Sequence, residues 1–169
     1  GWIGSATHHM DWAPVSNHVR RFLERNKQCD FKVIGAEYGD WLKIPKDQFI
    51  ETGWFDNVDE CWQAIDFDIG IAPLRPHVFN RSKSAIKFLE YAALGIPTVA
   101  SDVGPYSDSI QHGKTGFLVK RDHEWSKYLR DLVNDEAMRE EIGQNAREWA
   151  KTQTLEGNID IWLKAVGEW

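Results

Sequence analysis

A doubly wound α/β domain on a parallel sheet is the fold this sequence predicts. Three observations carry that expectation. Short apolar segments recur along the first two thirds of the chain, apolar residues at helical spacing separate them, and several segments run directly into Gly, Pro, Ser or Asp. Strands alternating with helices in this way build βαβ units, and in open sheets of that kind ligands bind beyond the carboxyl ends of the strands.

The elements follow in order. Trp2-Ile3 before Gly4-Ser5 reads as the end of a short strand. Pro14 fits the first turn of a helix whose Val15, Val19, Phe22 and Leu23 share one face. Phe31 to Ile34, closed by Gly35, is a second strand, and Gln48 to Glu51, before Gly53, a third. Asp56 to Ile65 is a short helix, capped by Asn57 or Asp56. Phe67 to Ala72, stopped by Pro73, is a buried-type strand. Ser84 to Leu94 is a helix, Pro97 to Ala100 a strand ended by Ser101-Asp102, and Gly116 to Val119 the last strand. Helical spacing then covers Glu124–Asn134, Asp135–Thr152 and Leu155–Val166. On this reading Ser5, Gly35, Gly53, Pro73 and Ser101 converge on one rim.

The 169 residues suffice for one medium domain with a real core, so residues 1–169 are taken as a single unit with the last helices, about 135–169, packed on it. No apolar run is long enough to span a membrane, which takes about 18 residues or more. The first residues lack a basic region followed by an apolar one, so no signal peptide is expected. Two cysteines make no disulfide framework, which points to a reduced, cytoplasmic setting. A net charge of −6 argues against nucleic-acid binding but leaves room for a small anion at a local positive patch. Most of the nine tryptophans are expected in or against the core.

The most informative stretch is NRSKSAIKFLEYAALGIP, from Asn80 to Pro97. Ser84 suits the N-cap, yet Lys87 stands where a capping box has Glu or Gln, and Lys83 precedes the cap. Cations there oppose the helix dipole by roughly 0.3–1 kcal/mol. An anion removes the conflict: free amides at Ala85 and Ile86 with two ammonium groups would cradle a phosphate. Lys83, Lys87 and Glu90, spaced four and three apart, fall on one face, with Ile86, Leu89 and Ala93 on the adjoining apolar one. Glu90, about two turns in, suits a diol. The alternative is a solvated Lys87–Glu90 pair on a surface helix.

From Phe67 to Val119 the chain resembles the nucleotide-sugar-binding half of group 1, retaining-type glycosyltransferases of the GT-B fold, through DIGIAPL and AIKFLEYAALGIPTVASDVGPYSDSIQHGKTGFLV. Weaker likeness extends over nearly the whole chain. The resemblance implies a Rossmann-like donor domain, the C-terminal half of a GT-B architecture, whose partner is an N-terminal Rossmann-like acceptor domain outside this chain. It implies a nucleotide-diphosphate sugar as donor, with Glu90 on the ribose, the Ala85 and Ile86 amides on the diphosphate, and the base near Gly53-Trp54-Phe55. It implies no metal and no cofactor, little or no transferase activity for this chain alone, and membrane contact only through the partner domain.

Two departures stand out. The family commonly has a glutamate eight residues before the position of Glu90, facing the transferred sugar, where this chain has Ser82. It also places Arg and Lys after the first strand, where this chain has GSATHHMD. Lys83 and Lys87 are expected to take over that charge, with Ser5 and His8 or His9 (His9 foremost) assisting. The two histidines could equally be ordinary loop residues, and adjacent histidines seldom chelate one ion. Asp66 and Asp68 are expected to be solvated at a strand entrance, and Gly35-Ala36-Glu37-Tyr38-Gly39 lacks the dinucleotide fingerprint. Gly104-Pro105 is assigned a turn role. Trp149, Trp162 and Trp169 are expected at the face toward the partner domain. Two other readings remain open: a non-catalytic nucleotide-binding or scaffolding module, and a GT-B-fold sugar-nucleotide epimerase.

Overall fold

Successive strand residues face opposite cores. Ile71, Val99 and Phe117 join Trp2 and Val33 in one apolar cluster, while their chain neighbours Ala72, Ala100 and Leu118 join another. A period of two with both faces buried is the signature of strands in a covered parallel sheet. The computed structural model describes residues 1–35 and 37–167. Its strands are β1 (Trp2–Gly4), β2 (Phe31–Gly35), β3 (Phe49–Thr52), β4 (Gly70–Ala72), β5 (Thr98–Ser101) and β6 (Phe117–Val119).

β1, β2 and β3 pair in that order, as do β4, β5 and β6, and every pairing is parallel. The two ladders meet at β1 and β4. The Gly1 nitrogen donates to the Ile69 carbonyl at 2.7 Å, and the Ile71 N–H donates to the Gly1 carbonyl at 2.9 Å. The strand order is therefore 3-2-1-4-5-6, and the chain reverses direction across the sheet between β1 and β4. In doubly wound folds that switch point opens a ligand crevice at the carboxyl edge.

Helices cover both faces. A 3-10 turn, Ala6–His8, leads into α1 (His9–Trp12), followed by α2 (Ser16–Arg25), α3 (Gly39–Leu42) and α4 (Val58–Ala64). Then come α5 (Val78–Arg81), α6 (Ile86–Ala93), α7 (Pro105–Ser109), α8 (His123–Asn134), α9 (Glu136–Lys151) and α10 (Ile159–Gly167). Trp12, Val19, Leu129 and Leu132 from α1, α2 and α8 pack on one face of the sheet. Phe88, Tyr106 and Ala146 from α6, α7 and α9 pack on the other. Trp2, Trp12, Phe88 and Tyr91 are fully buried; burying a Phe-sized side chain contributes about 2–3 kcal/mol. Asn57 caps α4 by accepting from the Asp59 N–H at 2.8 Å. Asp66 lies at the amino edge, paired with Lys32 at 2.8 Å.

The helix of the informative stretch is shorter than its spacing predicts. Ala85, with φ −80° and ψ 32°, is the N-cap of α6, and no side chain caps the helix, so Ser84 lies outside it. Glu90 is consequently one turn in rather than two. The buried face also differs from the expected Ile86, Leu89 and Ala93. It is Phe88, Tyr91 and Ala92, with Leu89 half-buried, Ile86 51% exposed and Ala93 exposed. The helix carries two apolar stripes, and aromatic packing selects between them. The Tyr91 ring meets Phe67 edge-on at 5.9 Å and its hydroxyl accepts from the Ile3 N–H at 3.2 Å. Phe88 packs on Trp149 of α9 at 4.5 Å.

Trp149 is thus half-buried, with one side packed within the chain. Trp162 on α10 is 60% exposed, beside exposed Ile161, Leu163 and Val166. Trp169 lies outside the described residues. No helix among the described residues is long and apolar enough to cross a membrane.

Candidate functional site

The crevice at the switch point is walled by the segment after β1, Ser5 to Trp12, and the segment after β4, Pro73 to Ala85. Buried Asp11 joins the two walls. Its Oδ2 meets His8 Nδ1 at 2.9 Å, and its Oδ1 accepts from Asn80 Nδ2 at 2.6 Å and from the Arg75 N–H at 3.1 Å. Lys83 Nζ stands 3.8 Å from Oδ2. Burial pushes the Asp11 carboxyl upward, but the hydrogen bonds from His8, Arg75 and Asn80, with the Lys83 charge, outweigh it and hold the group below the usual carboxylate range. The Ser101 hydroxyl accepts from the Leu74 N–H at 2.9 Å, tying the end of β5 to the same wall.

Three of the expected residues come together here. Lys83 lies just before α6 and also stands over the Phe79 ring, 5.2 Å from its centroid. Lys87, in the first turn of α6, stands over the Trp2 ring at 5.5 Å. Burial lowers the Lys87 pKa, and the neighbouring Lys83 adds to that, against the opposing pull of Glu90 and Asp11. Burial raises the Glu90 pKa, with Lys87 offsetting part of it. Each partner's charged form is therefore disfavoured on balance, so Lys87 and Glu90 do not fully compensate one another. The amides of Ile86, Lys87 and Phe88 open α6 and have no hydrogen-bond acceptor among the described residues.

The other expected residues are placed as follows. Ser82 is exposed, closes α5 and donates to the Val78 carbonyl at 3.4 Å. Ser84 is exposed, Ala85 half-buried and Ile86 exposed at the same helix start. Ser5 bonds through its hydroxyl to Thr7 at 2.7 Å, and its carbonyl accepts from the Tyr38 hydroxyl at 3.0 Å. His9 packs against Tyr38 and Trp41 at 4.7 and 5.3 Å, with Nδ1 against the Ala6 carbonyl, and its ring has no hydrogen bond to Asp11 among the described residues. Gly53 and the 59% exposed Trp54 follow β3, two strand spacings or about 10 Å from β1. The Trp54 ring covers Gly35 at the end of β2, at φ +109°, where an added Cβ would sit 2.9 Å from the indole and 2.5 Å from the Gly4 carbonyl.

Asp11, Asn80 and Arg75 were not anticipated. The signal for Asp11 was His8-x-x-Asp11, which matters only once a helical turn is known at that point. A cleft lined by Arg81, Asp102, Gly104 and Ser107 adjoins the crevice. The larger cavity, among Phe31, Lys32, Asp66 and Ile69, lies at the opposite, amino edge of the sheet. The carboxyl-edge crevice is the better candidate, because the unpaired amides opening α6 lie there with Lys83 and Lys87 on either side of them in the chain.

A family model described as glycosyl transferases group 1 matches residues 15–149. A D-inositol 3-phosphate glycosyltransferase of Paenarthrobacter aurescens (strain TC1) is 41% identical over 82 residues, 47% of this chain and 20% of its own length. Among solved structures, Anabaena HepE in complex with UDP superposes with TM-score 0.72 at 16% identity, over 98% of this chain and 48% of its own. The C-terminal domain of a glycosyl transferase group 1 family protein from Francisella tularensis gives 0.66 at 20% identity, over 90% of this chain and 84% of its own. The structural likenesses are likenesses of fold. The chain spans about a fifth of the curated relative and about half of HepE.

Proposed function

Because the chain belongs to the group 1 glycosyl transferases, we propose that it is the donor-binding half of a GT-B glycosyltransferase. A nucleoside-diphosphate sugar occupies the crevice between β1 and β4. The observation that carries this reading is the set of unpaired amides opening α6 at the switch point, with Lys83 just before them beside Asp11 and Lys87 in the same first turn over the Trp2 ring. Amides at a helix start and two ammonium groups suit a diphosphate. As the glycosyl bond breaks, negative charge grows on the leaving diphosphate, and these fixed donors stabilise it. Glu90, one turn further along, accepts from ribose hydroxyls, and the rim at Gly53 and Trp54 receives the base. Ser82 and Ser84 flank the sugar and phosphate ends, while Ser5 and His9 stand further out.

The acceptor, and any catalytic group facing it, belong to an N-terminal Rossmann-like domain outside this chain. Uridine diphosphate is the first probe to use, given the ligand of HepE. Lysines rather than a metal neutralise the donor, so EDTA leaves its binding unchanged. The test is calorimetric titration of the full-length protein with uridine diphosphate, with and without EDTA, alongside the Lys83→Ala and Lys87→Ala variants. Unchanged affinity in both variants would overturn the assigned roles of the lysines.

Exposed Ser82, whose hydroxyl donates to the Val78 carbonyl, favours one second reading: a nucleotide-binding module without transfer activity. Hydrolysis or transfer of a nucleotide sugar by the full-length protein separates the two.

A further inference from the structure

His8, rather than His9, is held by the buried Asp11. The Asp11 carboxylate can only accept, so the His8 Nδ1 in contact with it carries a hydrogen. Nε2, on the other side of the ring, has no hydrogen-bond partner among the described residues. The ring cannot easily turn away: Asp11 is 4% exposed and anchored by Asn80 and Arg75, and the Trp2 ring stands edge-on to His8 at 5.8 Å. The same indole lies beneath Lys87 Nζ, so His8 and Lys87 flank one aromatic platform, with Lys83 next to Asp11.

We propose that His8 contacts the donor's diphosphate through Nε2 as an imidazolium, and that Asp11 is the positioning residue that orients the ring and sustains its charge. The proposal rests on the donor-site reading above. A neutral ring with its hydrogen on Nδ1 offers only a lone pair at Nε2, which repels phosphate oxygen. In the imidazolium Nε2 carries a hydrogen instead, and that N–H donates to the phosphate. No covalent bond to the protein forms. The charged and titratable groups around this ring are Asp11 on α1, Lys83 before α6, Lys87 on α6 with Glu90 behind it, Tyr38 before α3 and Tyr106 on α7 beside Asp11. A histidine thus supplies positive charge in a loop that contains neither Arg nor Lys.

His8→Asn separates a ligand contact from a structural one. The Asn amide can still donate to Asp11 where Nδ1 does, but nothing replaces Nε2. The experiment is calorimetric titration of the full-length protein with uridine diphosphate at neutral pH in two buffers of different ionisation enthalpy. The wild type should take up part of a proton on binding. His8→Asn should bind about tenfold or more weakly, the weight of one charge-assisted hydrogen bond, and its proton uptake should vanish while its melting temperature stays close to wild type. Affinity and proton uptake in His8→Asn equal to wild type would overturn the proposal and leave the donor site standing. Failure of the folded wild type to bind uridine, guanosine, adenosine or cytidine diphosphate would overturn the donor-site reading and this proposal with it. Asp11→Asn, if folded, should lose proton uptake as well.

Discussion

Asp11 Oδ1 and Asn80 Nδ2, 69 residues apart in the chain, are joined by a buried hydrogen bond of 2.6 Å. That bond closes the switch point of the sheet. It holds the turn after β1 against α5, and so sets where Lys83 and the start of α6 stand. Removing the carboxylate leaves Asn80, the Arg75 N–H and Lys83 without their shared acceptor. Asp11→Ala should therefore cost about 3–5 kcal/mol. Asp102→Ala should cost no more than about 1 kcal/mol, because its partner Lys120 is 72% exposed and 3.7 Å away. Urea unfolding of the two variants measures the contrast, and equal losses would remove Asp11 from its structural role.

Lys83 and Lys87 should act on phosphate charge and not on the nucleoside. Alanine at either position should weaken uridine diphosphate binding several-fold or more and leave uridine binding unchanged. The loss should shrink as salt is added, since screening weakens charge pairs. Calorimetry at two ionic strengths checks both points. Equal losses for uridine and its diphosphate would mean that the lysines shape the pocket without neutralising a ligand.

Glu90 carries a pH signature in the unliganded protein. Burial raises its folded pKa above that of an ordinary, solvated glutamate. Between those two values the native state holds more protons than the unfolded chain, so the stability Glu90 contributes is full at low pH and falls as pH rises through that window. Glu90→Gln has no such proton. Its stability relative to wild type should grow from pH 4.5 upward and then level off, even as nucleotide binding weakens. A constant offset between the two proteins across pH 4–8 would contradict the buried, under-compensated carboxylate.

Gly104 does more than turn the chain. It has φ +52°, and an added Cβ would lie 2.7 Å from the Arg81 Cα, so α5 rests directly on it. Gly104→Ala should destabilise by about 1–3 kcal/mol and shift the wall that carries Ser82 and Lys83, reducing donor affinity as well. Gly53→Ala, with open space around the added carbon, should be close to neutral for stability. Thermal unfolding distinguishes the pair.

Much of the fold was legible because it is periodic. Apolar strands stopped by Gly, Pro or Ser fell within a few residues of β1 to β6, and helical spacing over Glu124–Asn134 and Asp135–Thr152 marked α8 and α9. The unforeseen helices α1, α3, α5 and α7 are four or five residues long, too short to show a period of 3.6. The apolar stripe of α6 could not be chosen from spacing, because Ile86-Leu89-Ala93 and Phe88-Tyr91-Ala92 both fit a helix. Tyr91's bond to β1 and Phe88's contact with Trp149 decide it through residues far away in the chain. The lysines and Glu90 were legible as charges in an unusual place. Asp11 was not, because its partners Asn80 and Arg75 meet it only through the topology of the sheet.

The central claim is that the β1–β4 crevice holds a nucleoside diphosphate. Thermal unfolding of the full-length protein with uridine, guanosine, adenosine and cytidine diphosphates tests it most directly. One of the four, at a hundredfold excess over its Kd, should stabilise the fold by about 2.7 kcal/mol, a rise of roughly 3–5 °C for a protein about twice the length of this chain, and Lys87→Ala should lower that rise at the same concentration. A folded protein whose melting temperature is unmoved by all four would contradict the claim.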